Sequence, residues 1–129
     1  MRGARWVREE ILDKEPKARL RVYAIWFSMI WTDARSRWPE DVLRDPRVVH
    51  FWDDGRVVGR WYEENVTHRG EEVEWDAFFL YGAAASWDAT LPEAVAWGRT
   101  ILSAKERLHQ ALQLLHGRVD RLHRQSEHA

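Results

Sequence analysis

The sequence predicts an α/β fold, a sheet flanked by helices with an extended amphipathic helix at the C-terminal end. Three observations carry this. Short runs dense in β-branched and aromatic residues fall at 20–30, 48–52 and 77–81. Between them, apolar residues recur at helical spacing, and from Leu91 onward the helical pattern is the longest periodic feature of the chain. Finally, 129 residues with 45% apolar and 32% charged side chains suit one globular core of ordinary domain size.

Trp6, Val7, Ile11 and Leu12 form a helical stripe over residues 4–14, and Pro16 ends it. Leu20 to Ile30 is nearly continuous in apolar residues, the pattern of a central strand buried on both faces. Thr32-Asp33-Ala34-Arg35-Ser36 opens a helix with a capping residue, Pro39 keeps it short, and Asp45-Pro46 stops it. Val48 to Trp52 reads as a second strand closed by the turn residues Asp53-Asp54-Gly55, and Val57 to Asn65 as a helix. Residues 67–74 are polar and read as a loop. Ala77 to Tyr81 is a third buried strand, with Gly82 turning the chain and Ala83 to Trp87 returning as the second arm of a hairpin. The final helix opens at Leu91-Pro92-Glu93, capped by Thr90. Its residues Ile101, Leu108, Leu112, Leu115, Val119 and Leu122 fall at spacings of four and three, broken only by Lys105, which makes them a candidate oligomer interface. Gly98 and Gly117 each weaken that helix by about 1 kcal/mol relative to Ala.

A net charge of −1 supplies no field to attract a polyanion or an acidic membrane, so neither nucleic acid nor membrane is an expected partner. Residues 103–129 carry five basic and three acidic side chains, too slight an excess for phosphate binding. With no cysteine, the chain has no disulfide, no thiolate metal site and no thiol chemistry. The N-terminal residues lack a signal-peptide pattern and no apolar run reaches about 18 residues. The expected location is cytoplasmic.

The order helix, strand, helix, strand, helix, hairpin, helix resembles the thioredoxin-like fold over residues 4–103. Ile25-Trp26-Phe27 followed by Trp31 resembles the exit of the strand before the redox loop, Val48 to Asp53 the next parallel strand, and Ala77 to Trp87 the antiparallel hairpin. The resemblance implies a thioredoxin-like domain over 1–102 and a helical extension over 103–129, packed on the domain or on a second chain. Where the family places Cys-x-x-Cys, this chain has Met29-Ile30-Trp31-Thr32-Asp33, and Glu74-Trp75-Asp76 replaces the family's cis-proline. Thiol-disulfide exchange is therefore excluded by composition, and the resemblance implies architecture without the activity.

Four Asp residues follow a Trp closely, at Asp33, Asp53, Asp76 and Asp88. Trp31, Asp33, Trp75 and Asp76 form a candidate binding pocket at the former redox position, where paired carboxylates suit a hard cation or acid-base work. The alternative is that these Asp residues cap helices and build turns. His109, His116 and His123 recur every seven residues, about 10 Å apart, too far to share one metal within a chain; they form a solvated flank or a pH-sensitive interface. Trp61, Trp75 and Trp87 have polar neighbours and are the candidates for exposed aromatic platforms. No catalytic triad, phosphate loop or His-Glu-x-x-His motif occurs, and no catalytic residue, metal or cofactor is expected. The favoured reading is a non-redox binding or scaffold protein that self-associates as a homodimer through its C-terminal helix. The alternative is an enzyme or a small-molecule or metal-binding protein using the Asp/Trp cluster.

Overall fold

The computed structural model describes residues 2–27, 40–88 and 91–128. The chain divides into two compact units, residues 1–75 and 76–129. Both are small α/β assemblies built on a two-stranded sheet.

In the first unit the predicted N-terminal helix forms as α1 (Arg2–Val7) and continues as a π-helical turn over Arg8–Leu12. β1 (Val22–Trp26) and β2 (Val48–Trp52) pair in parallel, from Val22 opposite Val48 to Trp26 opposite Trp52. A 3-10 turn at Glu40–Leu43 precedes β2. Residues 28–30 of the predicted strand, the helix start at Thr32–Ser36 and Pro39 lie outside the described residues. Leu12, Ala24 and Leu43 form the core, with Ala4, Val7, Leu20, Val22, Trp26 and Val48 packed around them.

The expectation that β1 is buried on both faces is corrected. Ala24 faces the core, whereas Tyr23 is 62% exposed and Ile25 36%. The helical segments cover one face of the sheet, so the apolar run alternates in environment although it does not alternate in composition. Trp26 is fixed toward β2 by donating its indole N–H to His50 Nδ1 at 3.0 Å.

Arg47 joins the N-terminal helical segment to the sheet. Its Nη2 donates to Leu12 O at 2.9 Å, and its Nη1 to Glu15 O at 2.8 Å and Ala18 O at 3.0 Å. Nε and Nη2 also hold the Asp45 carboxylate, each at 2.9 Å, in a bidentate pair. The two side chains are only 16% and 13% exposed, so solvent screens the pair little. Leu12 ends the helical segment, where a carbonyl lacks a partner within the helix, and the planar guanidinium serves it together with the Glu15 and Ala18 carbonyls of the following turn.

β2 leads into α2 (Val57–Tyr62), which continues as a π-helical turn over Glu63–Thr67. The predicted helix over 57–65 thus runs two residues further, and His68, at φ 47°, ends it in a left-handed conformation. Gly59 meets the following segment closely: a Cβ there would lie 2.9 Å from the Glu74 carbonyl oxygen, which only glycine permits.

In the second unit β3 (Ala77–Leu80) pairs antiparallel with β4 (Ala96–Arg99), Ala77 opposite Arg99 and Leu80 opposite Ala96. The predicted hairpin is corrected: the strand at Ala77–Leu80 forms, but it pairs with β4 and not with Ala83–Trp87, which is exposed and contains a turn closed by Ala85 N–H donating to Gly82 O at 3.1 Å. The predicted start of the last helix is corrected with it. Leu91 to Arg99 supplies coil and strand, Thr90 lies outside the described residues, and α3 runs over Lys105–Glu127.

The physical reason is packing. Ala96 and Gly98 have little intrinsic strand preference, but a Cβ on Gly98 would collide with the Ala104 methyl and press on Phe78 at 3.1 Å. The strand and the turn that leads into α3 approach so closely there that only glycine fits. Leu108, Ala111 and Leu112 of α3 are the buried residues on this side, at 6%, 9% and 6% exposure.

Replacing Arg47 with Lys leaves one point donor where a fork served three carbonyls and a carboxylate. We expect a loss of roughly 2–4 kcal/mol in folding stability by urea titration, although the charge is conserved. An unchanged midpoint would contradict the role given to Arg47.

Candidate functional site

Of the four residues of the predicted Asp/Trp pocket, Trp31 and Asp33 lie outside the described residues. Trp75 is half-buried and ends the first unit, and the exposed Asp76 begins the second. Asp76 adopts φ 46°, and its carbonyl accepts from Ile101 N–H at 3.0 Å, so its backbone builds the turn into β3.

Asp53 acts as a helix cap. Its Oδ1 accepts from Val57 N–H at 2.9 Å and its Oδ2 from Val58 N–H at 2.8 Å, satisfying two donors that the first turn of α2 leaves open. Asp88 is exposed and accepts from the Ser86 hydroxyl at 3.3 Å. At these two positions the Trp-Asp pattern has a local structural cause. Among the described residues no group of three or more His, Asp or Glu side chains is placed to hold a metal ion.

On α3, His109 is exposed and His116 half-buried. The side chain of His123 is outside the described set. Of the platform candidates, Trp87 is 54% exposed, with its ring edge-on to Tyr81 at 4.9 Å, while Trp61 and Trp75 are half-buried.

The candidate interface divides along its length. Ile101 lies in the turn before α3, Leu108 and Leu112 are buried within the second unit, and Leu115 is half-buried. The side chains of Val119 and Leu122 are outside the described set. Leu114, one position off the stripe, is 65% exposed. It borders a groove of about 560 Å³ between β4 and α3, lined also by Val95, Trp97, Arg107, Gln110 and Ala111. Its apolar residues belong to two elements that the sequence reads as one helix, so periodicity gives no sign of it.

The polar stretch after α2 also holds more than a solvated loop. Glu63 and Glu74 are 6% and 4% exposed. The Thr67 hydroxyl lies 2.8 Å from Glu63 Oε2 and 2.7 Å from Glu74 Oε2, and Glu63 Oε1 accepts from Gly70 N–H at 2.7 Å and Glu71 N–H at 3.1 Å. Burial raises the pKa of Glu63, but the bonds from Thr67 and from the backbone of residues 69–71 outweigh it and hold the carboxyl below its usual range. Two carboxyls so covered cannot meet a substrate; their chemistry is to latch residues 68–74 onto α2.

Asp45 likewise titrates low, chiefly because Arg47 donates to it, with burial opposing. A carboxyl whose folded value lies below its unfolded value of about 4 stabilises fully above that value and loses the contribution as pH falls through the folded one. The urea midpoint is therefore expected to fall as pH drops below about 4, and less steeply in Glu63→Gln. Parallel profiles for the two proteins would remove Glu63 from the account. Asp53→Ala removes both acceptors at the start of α2 and is expected to lower stability by about 1 kcal/mol in the same titration at neutral pH.

Comparison with family models, curated proteins and solved structures gives no match to this chain.

Proposed function

We propose that the chain is a non-redox binding or scaffold module that self-associates through the part of its C-terminal helix lying beyond the β3–β4 hairpin. The observation that carries this reading is a mismatch of lengths. α3 has 23 residues, about 34 Å at 1.5 Å each. β3 and β4 have four residues apiece, about 13 Å.

The sheet therefore accepts only the first turns of the helix, where Leu108, Ala111 and Leu112 are buried. The heptad-like stripe nevertheless continues in sequence through Leu115, Val119 and Leu122. A second copy is the simplest partner, because a twofold interface sets the stripe against itself. Each fully buried Leu contributes roughly 1.5–3 kcal/mol, so a few residues per chain support a reversible dimer.

The thioredoxin-like resemblance belongs to the same proposal. Parallel pairing of β1 with β2 supports it, since the resemblance assigns that pairing to those two segments. Among the described residues no helix is long and apolar enough to cross a membrane.

Light scattering on the unmodified chain is expected to show a dimer that dissociates on dilution. Leu115→Glu combined with Leu122→Glu is expected to give a folded monomer, whereas Leu112→Glu strikes the covered turns and is expected to unfold residues 76–129. An unmodified protein that stays monomeric at micromolar concentration would sink the proposal, as would a double variant that dimerises like the parent.

A further inference from the structure

One flank of α3 carries cations that the chain itself leaves unpaired. Arg107, Gln110, Leu114, Arg118, Arg121 and Gln125 are all exposed, and at about 100° per residue they fall within one arc of about 80°. No Asp or Glu stands three or four residues from Arg107, Arg118 or Arg121 on either side, and none of the three is in an ion pair among the described residues. Arg118 and Arg121 instead neighbour each other one turn apart, an arrangement of like charges that weakens a helix. The macrodipole acts within the last turn, so it accounts for Arg124 there and not for these three.

How charge and apolar surface alternate along the flank selects the occupant. Between Arg107 and Arg118 about 16 Å of helix carries Gln110 and the 65% exposed Leu114 but no Lys or Arg. Duplex nucleic acid bears a charge about every 1.7 Å of its axis, so a polyphosphate laid here crosses a long stretch without partners. Insertion into a membrane needs a broad apolar face, and Leu114 is the single apolar side chain of the arc. A helix fits both features. The six residues are spaced 3, 4, 4, 3 and 4 apart, the spacing at which one helix meets another laid along it. Gly117 borders the arc between Leu114 and Arg121, and a Cβ there would meet nothing within 4 Å, so packing among the described residues gives no reason for glycine. Against a partner, its missing side chain lets two backbones approach.

We propose that this flank docks an acidic amphipathic helix of a partner protein, with carboxylates paired to Arg107, Arg118 and Arg121 and apolar side chains covering Leu114. Arg107 Nη1 donates to the Trp97 carbonyl at 3.0 Å, which steadies the guanidinium while its other N–H groups face a carboxylate. The arc lies roughly 100° around the helix axis from the positions of Leu115, Val119 and Leu122, so docking does not depend on self-association through that stripe.

The test uses the full chain and a fluorescein-labelled helical peptide of about 20 residues built from Glu, Leu and Ala, with Leu along one face and Glu on both sides of it. Its controls are the same peptide with every Glu replaced by Lys, and a shuffled peptide of equal composition that has no apolar face. Fluorescence anisotropy is expected to show the acidic peptide binding at least tenfold tighter than either control, and more weakly as salt is raised. Arg118→Gln combined with Arg121→Gln is expected to weaken binding at least tenfold and Leu114→Glu as much, whereas Arg5→Gln, at an exposed position of the first unit, leaves it unchanged. Circular dichroism of each variant confirms that α3 persists. Equal binding of the acidic and Lys peptides, binding that survives the double substitution, or no binding at about 1 mM peptide overturns the proposal. So does binding of a DNA duplex or of phosphatidylserine vesicles that depends on Arg118 and Arg121 while the peptide fails. Light scattering is expected to give the double variant the same mass as the parent; a changed mass assigns these arginines to self-association and overturns the docking.

Discussion

Among the described residues each sheet consists of two strands, and two strands about 5 Å apart present a strip narrower than the roughly 10 Å diameter of one helix. A single helical layer therefore saturates one face, and the sheet supplies neither width nor length for more. In the first unit the N-terminal helical segment and the 3-10 turn enclose Leu12, Ala24 and Leu43. In the second, the opening turns of α3 bury Leu108, Ala111 and Leu112. What each sheet leaves uncovered follows from the same geometry: the exposed Tyr23, Ile25 and Phe51 in one unit, and the exposed Val95 and Leu114 in the other.

Cores this narrow depend on polar ties of unusual density. Arg47 binds three main-chain carbonyls and a carboxylate, so it fixes where the first helical segment ends relative to the start of β2. Glu63 does the same for the segment after α2, collecting Thr67, Gly70 and Glu71 around one carboxylate. In both places a buried charge is tolerated because nearly every lone pair or proton on it has a partner. Asp53 provides a third tie at the start of α2, where strand, turn and helix meet within six residues. Acidic side chains that composition alone would assign to solvent are thus part of the scaffold.

The same division separates scaffold from surface on α3. The entry to α3 is set by Gly98, where β4 and the turn at Ala104 approach so closely that no side chain fits between them. Leu114, Arg107 and Gln110 lie on the flank beside the strand. The flank gains a wall from β4 and becomes a groove.

The sequence by itself determined the elements whose signal is local. The parallel strand at Val48–Trp52 matches residue for residue, α2 begins at Val57 as its turn chemistry predicts, and a helical stripe ends before Pro16. Capping by Asp53 was one of the two readings open to the Trp-Asp pattern, because a cap needs only a few neighbouring residues. Only the tertiary structure decided the return arm of the hairpin, since Ala96-Trp97-Gly98-Arg99 becomes a strand through the neighbour it pairs with and the helix that packs on it, not through its own propensity. It likewise decided that Leu108 and Leu112 of the α3 stripe are buried, that Glu63 and Glu74 are buried, and that residues from β4 and α3 line a common groove. These are facts about partners distant along the chain, and periodicity carries information about a residue's own element alone.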